Sequence, residues 1–409
     1  MSTDIRNYIL VTAAYWGFTL TDGALRMLVL LYFYSLGYSP FEIALLFLLY
    51  EFFGIVTNLI GGWIASRLGL KVTLFAGLAL QVLALSMLAL FDADWPVWAG
   101  VSYVMGTQAL SGIAKDLTKM SSKSAVKWLV PGGEQGALFK WVAVLTGSKN
   151  ALKGLGFFLG GVLLAAFGFA GALVFMAGAL AVVLAASVVL LPGQIGQSTT
   201  KVKFRNIMSK SRDMNYLSAA RLFLFCSRDV WFVVGLPLFL AATLGWDHAE
   251  VGGYMAAWVI AYGFVQALAP KLLRKSAPAP AFAPDGALSR RWILILLAVT
   301  VAIAAAVRAD IEPGLVVILG LAVFGFVFAV NSAVHSYLVL AYTKAEHVAL
   351  NVGFYYMANA VGRLFGTLLS GLAYQWGGLV MCLGLSAVFL LMSWLFSLAL
   401  PGNAQPQAA

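Results

Sequence analysis

Residues 162–191 read VLLAAFGFAGALVFMAGALAVVLAASVVLL, a run without one ionisable side chain. A helix needs about 20 apolar residues to cross a hydrocarbon layer about 30 Å thick. A barrel strand instead alternates apolar and polar residues over about 10 positions, so this run reads as helix. The rest of the chain follows suit. Of 409 residues, 62% are hydrophobic and 10% charged, against about 25% charged in a soluble domain. A water-soluble fold of this length has no interior large enough for so much apolar surface. Lipid is therefore the solvent, and lipid admits only helices or closed barrels. The sequence predicts an all-α integral membrane protein.

Working outward, apolar runs between polar or Gly/Pro breaks give twelve candidate transmembrane helices, at 8–36, 41–66, 72–91, 96–120, 137–166, 168–191, 215–244, 249–270, 291–309, 313–340, 348–375 and 377–400. The first run is too long for a secretory signal, carries Asp22 and Arg26, and lacks a small-residue cleavage site, so it is expected to remain as a span. Bases gather in alternate loops: Arg67 and Lys71, Lys123 and Lys127, the cluster Lys201 to Arg212, Lys271 to Arg291, and Lys344. The intervening loops hold Asp92, Asp94, Asp247, Glu250, Asp310 and Glu312, with Arg308 as the exception. Positive-inside bias places the basic loops and both termini in the cytoplasm. The formal charge of +10 thus reports topology, and no nucleic-acid partner is expected.

Residues 193–214 form a basic cytoplasmic linker between 1–192 and 215–409, each carrying six spans. Within the second half, 276–289 (SAPAPAFAPDGALS) read as a Pro/Ala-rich cytoplasmic insert. Six plus six spans predict two related halves with a substrate path between them. Cys226 and Cys382 lie in apolar runs with no CxxC neighbour, so neither a disulfide framework nor a thiolate metal site is expected. No Walker motif occurs, so no ATP motor and no cofactor are expected, and the chain reads as a transporter and not as an enzyme.

Ionisable groups inside hydrocarbon cost about 2.5–3.5 kcal/mol each on insertion scales and point to function. The first span carries Asp22 and Arg26, four residues apart on one face. Glu51 lies near the middle of the second, with Asn58 two turns on. Lys149 and Lys153 share one face of the fifth, within TGSKNALKG. Arg228 and Asp229 are adjacent in the seventh, with Arg221 nearer the cytoplasm, and Arg363 lies in the eleventh beyond Tyr355. Pairing Asp22, Glu51 and Asp229 with three of Arg26, Lys149, Lys153, Arg228 and Arg363 leaves two cations over. Buried charge needs a counter-charge, and an anionic substrate would supply it. Arginine suits bidentate capture of oxyanions; lysine offers a movable point charge.

Structural readings compete with these. Asp22 and Arg26 also suit an intrahelical ion pair, and Arg363 a brace between helices. Arg228 and Asp229, as neighbours, point to different faces and so to separate partners. Lys149 and Lys153 resist such a reading, because stacked lysines repel and their span holds no acid. Lys115, Lys119, Lys123 and Lys127 form a ladder beside Asp116. The outer two read as a helix end emerging into cytosol, while Lys115 and Lys119 can draw an anion inward. Tyr355 and Asn359 join Tyr15, Trp16, Gln108, Trp141, Tyr254, Trp258, Tyr262, Asn331, His335 and Tyr356 as candidate cavity lining. Gly154, Gly156, Gly160 and Gly161, and the pair Gly362 and Gly366, predict close helix contacts.

The loop GGWIASRLGLK (61–71) resembles the signature loop of the major facilitator superfamily, departing at Ser66, where that family usually has an acid. The resemblance implies the twelve-helix fold in two six-helix halves. The stretches AAYWGFTLTDGALRMLVLLYF (13–33), YEFFGIVTNLIGGW (50–63), ALSGIAKDLTKMSSKSAVK (109–127) and FKWVAVLTGSKNALKG (139–154) are similar to the organoarsenical efflux permeases of arsenate-resistance operons. The likeness continues more weakly through 351–378. It implies a bacterial inner-membrane exporter of 1-arseno-3-phosphoglycerate and a functional partnership with a glyceraldehyde-3-phosphate dehydrogenase. An arsenite pump would instead call for soft thiolates.

The expected function is secondary active export of such an anion by alternating access, conferring arsenate resistance. Arg26, Lys149 and Lys153 are expected to hold one anionic end, and Arg228 or Arg363 the other. Glu51 or Asp22 would carry a proton if export is proton-coupled; a counter-anion is the other option. The rivals are a sugar-phosphate or organic-anion antiporter and, from another class, a membrane sensor, which the lack of a soluble output domain disfavours.

Overall fold

The computed structural model describes residues 3–125, 135–191, 211–275, 285–342 and 348–402, and these form helices joined by short turns, with no strand among them. Residues 193–210 of the basic linker, Lys127, residues 276–284 of the insert and Lys344 lie outside the described residues, as do the side chains of Arg67, Lys123 and Trp141. In chain order the elements are α1 (Thr3–Ser35), α2 (Pro40–Leu46), α3 (Leu48–Leu68), α4 (Leu70–Leu88), α5 (Val97–Ala125), α6 (Gln135–Leu190), α7 (Arg212–Phe232), α8 (Gly235–Leu238), α9 (His248–Lys275), α10 (Gly286–Arg308), α11 (Pro313–Ala341) and α12 (Val348–Ser397).

Two of these are too long to be single crossings. At 56 residues α6 would run about 84 Å if straight, nearly three times the hydrocarbon thickness. It breaks at Gly168 (φ 65°, ψ −177°), backbone that only glycine adopts without strain. The 50-residue α12 breaks at Gly377 and Gly378, the latter at φ 60°. The expected boundaries at 166/168 and 375/377 fall at these points. Eight helical stretches among the described residues are long and apolar enough to cross a membrane. Two of them contain these breaks. α1 and α5 match them in length, at 33 and 29 residues, but carry Asp22 and Arg26, or Lys115, Asp116 and Lys119.

Helix starts follow local chemistry. Ser39 and Glu42 form a reciprocal capping box at α2, the Ser39 amide donating to Glu42 Oε2 at 2.8 Å and the Glu42 amide to Ser39 Oγ at 3.3 Å. Asp247 and Glu250 repeat it at α9, both bonds at 2.8 Å. Asp285 caps α10 by accepting from the Leu288 amide at 2.8 Å. That helix therefore begins at Gly286 and not at 291, so residues 286–289 are helix and not insert. Likewise α7 begins at Arg212, inside the expected linker.

Packing resolves the chain into two compact units, one of Met1–Tyr38, Leu45–Phe204 and Trp246–Ile260, the other of Ser39–Ala44, Arg205–Gly245 and Ala261–Ala409. In the first, α1 lies along α6 because small residues let the backbones meet. A Cβ on Gly23 would stand 2.6 Å from the Lys153 carbonyl, and one on Gly156 2.5 Å from that of Leu20. Gly160 is equally close to the Ala24 carbonyl. Tyr32 stacks on Phe169 at 4.0 Å, with Phe33 and Phe91 edge-on beside them. In the second, α12 lies along α7, with Gly362 and Gly366 at the contact. There Ser386 Oγ donates to the Ser227 carbonyl at 2.6 Å, and Ser393 Oγ to that of Ala220 at 2.8 Å. Cys226 and Cys382 are free thiols, 1% and 0% exposed. Outward, α6 leaves Val182 and Val189 69% and 81% exposed, a surface suited to lipid.

Candidate functional site

In the first unit, α1 and α3 face each other through two rungs of polar contact. Arg26 Nη2 lies 2.6 Å from Glu51 Oε1, the two residues 7% and 1% exposed. One turn back, Tyr50 donates its hydroxyl to Asp22 Oδ1 at 2.5 Å. Arg26 thus pairs across helices, and the intrahelical pair with Asp22 does not form. Asp22 is 7% exposed and makes no ion pair among the described residues. The Arg26 guanidinium also lies over the rings of Phe47 and Tyr50, at 5.1 and 5.3 Å. Lys115 brings its ammonium over Tyr50 at 3.9 Å.

A third group extends this core along α3 and α5. Asp116, 1% exposed, accepts from Thr57 Oγ1 at 2.5 Å and pairs with Lys119 Nζ at 3.1 Å. Lys119 donates onward to Asn58 Oδ1 at 2.7 Å. Lys149 and Lys153 project from α6, half-buried, with Lys153 Nζ 5.8 Å from the Phe157 ring. Beside them Trp16 Nε1 donates to Ser148 Oγ at 3.1 Å. Arg26, Lys115, Lys119, Lys149 and Lys153 make five cations against the acids Asp22, Glu51 and Asp116, a surplus of two.

The second unit centres on Asp229, 1% exposed. Arg228 closes back on its own neighbour, with Nε 2.6 Å and Nη2 2.5 Å from Asp229 Oδ1. Arg363 approaches from α12, its Nε 3.5 Å from Oδ2. The expectation of separate partners for Arg228 and Asp229 is therefore wrong: the Cβ atoms diverge, but the long arginine side chain spans the gap. Its guanidinium also lies 4.7 Å from the Phe225 ring centre.

Arg221 is the residue that the sequence undervalued. It is 5% exposed, deep inside the packing of α7. Nε donates to Asn359 Oδ1 at 3.0 Å, and Nη1 to Ser332 Oγ at 3.0 Å and the Ser332 carbonyl at 3.3 Å. Phe225 and Tyr355 face the guanidinium at 4.0 and 5.2 Å. Aromatic faces contribute about 0.5–2 kcal/mol each, while taking an ion out of water costs several kcal/mol even after relaxation. Neutral partners leave that charge unbalanced. Arg221, Arg228 and Arg363 against Asp229 give this charged core a surplus of two cations as well. The signal lay in the sequence as a charge within an apolar run; distant Ser332 gave no hint of pairing with it.

Tyr355 and Asn359 thus meet Arg221, and Arg228 and Arg363 meet Asp229. Asp22, Arg26, Glu51, Lys115 and Lys119 form one connected core. Among the described residues no group of three or more His, Cys, Asp or Glu could hold a metal ion.

Long apolar helices around charged cores are those of a multi-pass membrane protein. A family model of the Major Facilitator Superfamily matches residues 9–288, more than half of the sequence, and the chain belongs to that superfamily. It is similar in fold to a crystal structure of a D-xylose-proton symporter, with TM-score 0.71 over 99% of each chain at 14% sequence identity. Comparison with curated proteins finds no match.

Proposed function

We propose that this transporter is a secondary exporter, working by alternating access, of a small organic anion with an oxyanion at each end. Its substrate on this reading is 1-arseno-3-phosphoglycerate, and its effect is arsenate resistance. One observation carries the anion: the charged core of each unit holds two more cations than acids, Arg26, Lys115, Lys119, Lys149 and Lys153 against Asp22, Glu51 and Asp116 in the first, and Arg221, Arg228 and Arg363 against Asp229 in the second. Arsenic enters through the likeness of residues 13–33, 50–63, 109–127 and 139–154 to organoarsenical permeases, and so do the bacterial inner membrane and a glyceraldehyde-3-phosphate dehydrogenase that makes the substrate.

On this reading the roles divide among the charged residues. Lys149 and Lys153 hold one end of the substrate, with Lys115 beside Tyr50 drawing it inward. Arg26 sets the local potential through Glu51. The arginines of the second unit form a second cationic group that suits an oxyanion. Asp22 is the better proton carrier of the two candidates, because Glu51 already has a guanidinium at 2.6 Å and Asp22 has a neutral phenol.

The same cations would seat a plain phosphate ester, which makes a sugar-phosphate or organic-anion antiporter the second reading. Everted vesicles separate the two. Accumulation of the enzymatically made arsenate ester, with no accumulation of labelled 3-phosphoglycerate or inorganic phosphate, supports the arsenical reading; accumulation of either supports the second. Undiminished transport by Lys149→Ala and Arg26→Ala alike would sink the site assignment.

A further inference from the structure

Arg221 differs from the other cations of its unit in what surrounds it. Arg228 and Arg363 share Asp229. Arg221 meets no carboxylate among the described residues, only Asn359, Ser332 and two aromatic faces. Its Nη2 has no acceptor there.

The groups around it present mainly donors. Ser332 Oγ receives Arg221 Nη1 at 3.0 Å, the Tyr262 hydroxyl at 3.3 Å and Gln266 Nε2 at 3.4 Å. A hydroxyl oxygen has two lone pairs, so donors already occupy the full accepting capacity of Ser332 Oγ. Asn359 has committed its carbonyl oxygen to Arg221, which leaves its amide N–H groups as donors. Positive charge and surplus donors on one spot are complementary to an oxyanion, which brings negative charge and many lone pairs together. The guanidinium fork favours two oxygens of one phosphate, arsenate or carboxylate over a point charge.

We infer that Arg221, with Asn359, Ser332, Tyr262 and Gln266, is the seat in the second unit for one oxyanion of the substrate. This rests on the anion reading above and replaces the assignment of that end to Arg228 or Arg363, whose charges Asp229 already engages. Asn359 and Ser332 act here as positioning residues that hold the fork flat and aimed.

The test uses the full chain in nanodiscs of zwitterionic lipid, with 3-phosphoglycerate and inorganic phosphate as probes in calorimetric titration, and thermal unfolding without ligand as the second readout. Arg221→Gln is expected to weaken both probes by at least about tenfold without lowering the unfolding temperature, since an unbalanced charge is gone. Arg221→Lys keeps the charge and loses the fork, so its affinity falls between the two. Asn359→Asp places a carboxylate beside Arg221, and is expected to raise the unfolding temperature while abolishing binding of both probes. Wild-type affinity in Arg221→Gln or Asn359→Asp overturns the seat and leaves the anion reading standing. A wild-type protein that binds neither probe overturns both.

Discussion

Arg26 on α1 pairs with Glu51 on α3 at 2.6 Å, and this contact, made across two helices, decides which acid of the first unit remains without a cation. Removing one member of a buried pair costs about 3–5 kcal/mol, because the other charge is stranded. Glu51→Gln should therefore lower the unfolding temperature of the detergent-purified protein markedly. The double variant Arg26→Met/Glu51→Gln should recover much of the loss. A Glu51→Gln protein as stable as wild type would show that the pair has no such weight.

Asp22, held by the Tyr50 hydroxyl at 2.5 Å, is the proposed proton carrier. In proteoliposomes Asp22→Asn should abolish accumulation driven by a pH gradient and preserve exchange of substrate across the membrane at equal pH. Gradient-driven accumulation at the wild-type level in that variant refutes its role as proton carrier.

Asp229 balances Arg228 and Arg363 at once. Asp229→Asn strands two cations, whereas Arg363→Ala leaves the Arg228 pair intact. The first should reduce the yield of monodisperse protein far more than the second, as read by size-exclusion chromatography. Equal losses would mean that Arg363 carries as much of the arrangement as the acid itself.

Gly156 stands where a Cβ would lie 2.5 Å from the Leu20 carbonyl, while Gly178 on the same helix has nothing within 4 Å. Overpacking costs about 1–3 kcal/mol, and alanine outdoes glycine in a helix by about 1 kcal/mol. Gly156→Ala should destabilise and Gly178→Ala should be neutral or better, with thermal unfolding as the check. Similar behaviour in both variants would contradict the close α1–α6 contact.

Much of the architecture is legible in apolar run length alone. The reversals at Gly168 and Gly377–Gly378 fall at the expected span boundaries, because a run of more than about 40 apolar residues cannot be one crossing. The glycine pairs at 156/160 and 362/366 were equally readable as contact points. The start of α10 was not, since Asp285 sits in a Pro/Ala-rich stretch that masks its role as a cap. Charge partners were the least legible. Reasoning along one helix places Arg26 by Asp22 and separates Arg228 from Asp229. The guanidinium, on a long flexible stem, reaches Glu51 in one case and folds back in the other. Arg221 finds Ser332 across 111 positions of sequence, a pairing that only the packing of α7 against its neighbours creates.

The two native thiols have an experimental use. Cys226 and Cys382 are both sealed inside the second unit, so water-borne maleimides and spin labels should find the wild-type chain almost blank. Single cysteines placed beside Lys149 or Asn359 would then report on solvent access at each charged core without background from the protein's own sulfur.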